Sequence, residues 1–149
     1  MRELGLEPKL FCGGGWYTDA GVAEACAELE YVDCTPRASR PAYLGPKEAW
    51  ASLGAPARVR LPSGRLLAAI PTTHSLGDLA RALPKPRSLP GVVHVYFHDT
   101  DLANRRRRAL LRAVLPLLAR VAEPTDLSML TGAGTPNAPE IAWDDVARL

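Results

Sequence analysis

The chain has 149 residues, 47% hydrophobic and 23% charged, which is the composition of a soluble globular protein and the length of about one domain, here expected as a single unit over 1–149. A formal net charge of +2 gives no electrostatic case for a nucleic-acid partner, and no apolar run approaches the roughly 20 residues of a membrane span. Residues 1–8 lack the apolar core of a signal peptide, and three cysteines without C-x-x-C spacing do not make a secreted disulfide framework, so a cytoplasmic location is expected.

Residues 9–12 form a short apolar run stopped by Gly13, Gly14 and Gly15, which predicts a strand and a tight loop. Thr18 or Asp19 caps a helix running to about Leu29, with Val22, Ala25, Cys26 and Leu29 on one stripe. Residues 31–35 read as the next strand. The proline-rich stretch 36–56 is predicted as loop, with at most a helical turn near Trp50. Residues 58–61 and 65–70 read as a hairpin around Pro62-Ser63-Gly64. Ser75 caps a short helix over 76–83, and 84–90 is a proline-rich connection. The β-branched and aromatic run 92–98 predicts a buried strand. A long helix is predicted over 101–121, with Leu110, Val114, Leu117, Leu118 and Val121 at helical spacing and Pro116 as a kink. Residues 126–130 predict a last short strand, and 143–149 a helical turn or two.

Strands alternating with helices predict an α/β fold with a mainly parallel sheet or barrel. Four of the predicted strands end in polar or glycine tips: Gly13-Gly14-Gly15-Trp16, Asp33-Cys34-Thr35, Thr72-Thr73-His74 and His98-Asp99-Thr100-Asp101. In α/β proteins ligands and chemistry gather at strand C-termini, so these tips are expected side by side on one functional rim.

His94 and His98 have the spacing of a helical metal pair, but on a strand their rings lie about 13 Å apart, so one ion cannot bridge them. His94 reads as structural. His98, at the tip beside Asp99 and Asp101, is placed to move a proton near neutral pH. Asp101 reads equally as the cap of the following helix and Asp99 as a loop residue. The three glycines match no nucleotide fingerprint, but they let a ligand approach the backbone, and Trp16 and Tyr17 offer flat faces suited to sugar rings. The competing reading is a plain turn with Trp16 in the core. His74 is a candidate binding residue or a turn residue, and Cys12 and Cys34 read as small buried hydrophobes. The run from Arg105 to Arg108 reads as a solvated helix face with one arginine turned partly inward.

Phe11-Cys12-Gly13-Gly14-Gly15-Trp16, then a helix, then Glu30-Tyr31-Val32-Asp33-Cys34-Thr35, then Val95-Tyr96-Phe97-His98-Asp99-Thr100-Asp101-Leu102 resembles the C-terminal half of polysaccharide deacetylases of the NodB-homology type. The resemblance implies a partial, distorted (β/α) barrel lacking its N-terminal strands. It implies hydrolysis of N-acyl bonds on a carbohydrate with a divalent metal such as zinc, in which His98 protonates the leaving amine. Gly13 to Trp16, Asp33 and Thr35 correspond to groove walls, and His74, Asp99 and Asp101 join the substrate-binding candidates. The family's Asp-Asp and His-x-x-x-His motifs precede the glycine-tryptophan segment. Ten residues precede Phe11 here and hold neither motif, so base and metal are expected only with a missing N-terminal half. The partners expected are a carbohydrate or small N-acylated substrate and that half, or a second copy of the chain paired through an open strand edge. The alternative is a non-catalytic half-barrel that binds a carbohydrate or a partner chain.

Overall fold

The computed structural model describes residues 8–127, 129, 130 and 137–149. They form two compact units. One runs to Pro71 and resumes at Asp126; the other is the continuous insertion Thr72–Thr125.

The first unit is built on a five-stranded sheet. β1 (Leu10–Phe11) and β2 (Val32–Asp33) are parallel, and β2 is parallel to β5 (Leu66–Ala69). β4 (Ala57–Arg60) pairs antiparallel with β5 through the expected hairpin, where Gly64 takes a φ of 86° that a side chain would resist. β8 (Glu140–Ala142) lies parallel to β4, with Glu140 opposite Arg58. Across β2 and β5 lies α1 (Ala20–Glu28), started by Asp19, whose Oδ1 accepts the Val22 N–H at 2.8 Å. Ala23 and Cys26 of this helix share the main core with Leu53, Val59 and Leu67. Full burial of a side chain such as Leu67 contributes about 1.5–3 kcal/mol.

Three expectations for this unit are corrected. Trp50 lies in a strand, β3 (Trp50–Ala51), because β9 (Ala147–Arg148) pairs antiparallel with it. The terminal helix, α5 (Trp143–Val146), therefore stops early; Trp143 and Val146 are both core residues. The backbone is helical at Leu127, Met129 and Leu130 rather than extended. Leu127 and Leu130 pack on Val32, Cys34 and Ile70.

In the second unit, β6 (His74–Ser75) and β7 (Val95–Tyr96) form a parallel pair with His74 opposite Val95. The strand expected over 92–98 is this short because its partner offers only two residues to pair with. α2 (Leu76–Ala82) begins in a reciprocal cap. The Asp78 N–H donates to Ser75 Oγ, and the Ser75 N–H to Asp78 Oδ2. The single long helix expected from residue 101 is two helices, α3 (Asp99–Ala103) and α4 (Arg105–Leu118). Asn104 breaks them apart: its ψ is 117°, and its Oδ1 accepts the N–H groups of Arg106 and Arg107 at 3.0 and 3.2 Å. Leu76, Leu79 and Val114 form this unit's core with Leu110, Val93 and Val95 around them.

The fold is thus mixed α/β, with parallel and antiparallel pairing and no closed barrel among the described residues. Three of the four strands expected side by side, β1, β2 and β5, share a sheet. β7 pairs with β6 in a separate sheet, so the four tips do not line one sheet edge.

Candidate functional site

Two constellations of candidate residues lie in different units. In the first unit the β1–β2 ladder runs through Val32 N–H to Lys9 O at 2.8 Å and Cys34 N–H to Phe11 O at 2.7 Å. The chain then turns away. The Gly13 N–H donates to Thr35 Oγ1 at 2.7 Å, a side chain taking over where the ladder stops. A Cβ on Gly13 would stand 2.8 Å from the Tyr17 carbonyl oxygen, so only glycine passes here. Gly14 to Trp16 form a 3-10 turn in which Gly15 and Trp16 have φ of 66° and 62°. Trp16 takes the core alternative: it is buried, with the Arg37 guanidinium 4.8 Å from the ring centroid. Tyr17 stays exposed and donates its hydroxyl to Asp19 at 2.6 Å.

Asp33 is 1% exposed, and its Oδ1 accepts the Thr35 N–H at 2.8 Å. Burial pushes this carboxyl above the usual carboxylate range, and the hydrogen bonds from Thr35 offset part of the rise. Burial also raises the thiol of Cys12, with the neighbouring Asp33 adding to the rise and Arg37 opposing it. Gly13, Asp33 and Thr35 are therefore brought together as expected.

In the second unit His98 follows β7, its side chain 69% exposed, with the Tyr96 ring edge-on at 5.9 Å. Asp101 is buried and lies within α3, at its third position, rather than at the start of the following helix, where Asn104 is the cap of α4. Its Oδ2 accepts the His98 N–H at 3.0 Å, as a residue in the first turn of α3 should. The same oxygen is 4.0 Å from His98 Nδ1, and Arg107 pairs with the other oxygen. The backbone N–H of His98 is the main cause that holds this carboxyl below the usual range. Asp99 is exposed, its Oδ1 accepting the Thr100 N–H at 2.7 Å. His74 belongs to β6 rather than to a strand tip, and its Nδ1 is 2.9 Å from Thr73 Oγ1.

No family model matches this chain, and neither does any curated protein or solved structure.

Among the described residues no three of His, Cys, Asp and Glu gather into a metal site. The residues present do not fit the divalent metal that the deacetylase resemblance implies. Of the arginine run, Arg107 pairs with Asp101 and Arg108 donates to the Leu102 carbonyl at 2.8 Å, while Arg105 and Arg106 are exposed.

A cleft of about 440 Å³ in the first unit, which no sequence pattern marks, is lined by Thr18, Asp19, Trp50, Trp143 and Arg148 among others. Thr18 is fully buried, and its hydroxyl has no hydrogen-bond partner among the described residues. Trp50 and Trp143 are 93 residues apart in sequence, so only the tertiary fold joins them.

Proposed function

We propose that this chain supplies the C-terminal half of a polysaccharide-deacetylase-like hydrolase, a partial (β/α) barrel acting on N-acyl C–N bonds of a carbohydrate in the cytoplasm. The observation that carries the reading is the His98–Asp101–Arg107 series. An exposed imidazole at the end of β7 has a buried carboxylate 4.0 Å from Nδ1, and that carboxylate is fixed by an arginine and a backbone N–H. With the carboxylate on the Nδ1 side of the ring, Nε2 is the nitrogen assigned to donate. The chemistry assigned to this chain is that single proton, passed to the departing amine. The base and the metal ligands come from the missing half, joined in cis or supplied in trans.

The test is to express the chain together with any in-frame upstream segment that encodes Asp-Asp and His-x-x-x-His, and to measure acetate release from N-acetylated chito-oligosaccharides. His98→Ala should lower kcat by about 10²–10⁴-fold with little change in KM, because a general acid acts in the transition state. An unchanged rate removes His98 from the mechanism.

A second reading, a non-catalytic carbohydrate-binding module, is favoured by the cleft between Trp50 and Trp143 with the buried hydroxyl of Thr18 on its wall. Titration of the same oligosaccharides against tryptophan fluorescence separates the two. Saturable quenching that is lost in Trp143→Phe, without acetate release, supports binding alone.

A further inference from the structure

Cys12 and Cys34 stand one residue beyond β1 and β2. The register that sets Leu10 opposite Val32 and Phe11 opposite Asp33 continues to Cys12 opposite Cys34. Opposed residues on neighbouring strands have Cα atoms about 4.8 Å apart, inside the roughly 4.4–6.8 Å that a disulfide spans. Residues in register leave a sheet on the same face. Cys12 Sγ already lies 4.0 Å from the Cys34 carbonyl oxygen. The two thiols differ in access: Cys12 is exposed and Cys34 is 3% exposed. Beyond Cys12 the chain leaves the ladder, since the Gly13 N–H turns to Thr35 Oγ1. Cys26 faces the core from α1 and is a built-in comparison.

We propose that Cys12 and Cys34 are a reversible redox pair, oxidised to an intrachain disulfide by a low-molecular-weight disulfide such as glutathione disulfide. The Cys12 thiolate, having lost its proton, attacks one sulfur of glutathione disulfide and expels one glutathione thiolate. Cys34, once deprotonated, attacks Cys12 Sγ in the mixed disulfide and expels the second. Two thiols become one disulfide, two electrons pass to glutathione, and the two protons end on two glutathione thiols. Burial holds both thiols in their protonated form, so exchange is slow at neutral pH and quickens as pH rises. The bridge ties the residue before Gly13 to the residue before Thr35. Oxidation thereby fixes the glycine turn against β2.

The experiment is incubation of the full chain with glutathione disulfide, followed by denaturing alkylation and mass spectrometry. Cleavage after glutamate at positions 3, 24, 28 and 30 places the three cysteines in separate peptides. The expected product is about 2 Da lighter than the reduced chain, links peptide 4–24 to peptide 31–48, and returns to the dithiol with excess reduced glutathione. Cys34→Ser should instead hold one glutathione on Cys12. A wild-type chain that retains glutathione on Cys12, links Cys26, or stays fully reduced overturns the proposal.

Discussion

Asp33 and Asp101 are both buried carboxyls, yet their environments push them in opposite directions. Asp33 sits in the sheet, and its raised pKa means that the folded chain holds this proton more tightly than the unfolded chain. Its contribution to stability is full below the unfolded pKa and declines as pH climbs from about 4 towards the raised value. Asp33→Asn keeps an acceptor for the Thr35 N–H and should flatten that decline, as scanning calorimetry across pH would show. Asp101 is depressed, chiefly by the His98 N–H, so its contribution is present above the unfolded pKa and is lost as pH falls through the folded value. Asp101→Asn should flatten the acid side of the stability profile instead. A third test at this scale concerns Gly13. Gly13→Ala forces a Cβ against the Tyr17 carbonyl and should cost about 1–3 kcal/mol in urea unfolding. Gly14→Ala meets nothing within 4 Å and should stay within about 0.5 kcal/mol of wild type.

Asn104 decides the shape of the second unit's helices. Removing its two capping bonds in Asn104→Ala should cost about 1 kcal/mol and speed hydrogen exchange of the first-turn amides of α4. The apolar spacing from Leu110 to Val121 carried the helix reading backwards through Asn104, although asparagine before a polar turn is itself a capping signal. Elements whose cause is local were legible: the Asp19 and Ser75 caps and the Gly64 hairpin each act within a few residues. β3, β8 and β9 were not, because no β-branched or aromatic run marks them and they exist only through their partners. The same division holds for the candidate site. The position of His98 after a strand could be read from its neighbours, as could the closeness of Gly13 to Asp33 and Thr35 once parallel strands were expected. The burial of Trp16 under Arg37 and the joining of Trp50 to Trp143 depend on tertiary packing.

At the scale of the whole chain, the first unit depends on a strand that arrives after the entire second unit. β8 closes the far edge of the sheet, and α5 behind it brings Trp143 and Val146 into the core. Deleting residues 140–149 should abolish the cooperative urea transition of the first unit, while a synthetic peptide of residues 137–149 added in excess should restore part of it. The exposed Glu140 pairs with Arg58 and Arg60 contribute less: Glu140→Gln should cost no more than about 1 kcal/mol, since solvent screens them. Arg60 and Glu140 are 80 residues apart. During translation at roughly 5–20 residues per second, β4 waits on the order of 4–16 s before its neighbour leaves the ribosome. Over that interval the β4 edge can pair with any extended chain nearby, which makes nascent protein, rather than finished protein, the form most exposed to aggregation and to capture by chaperones.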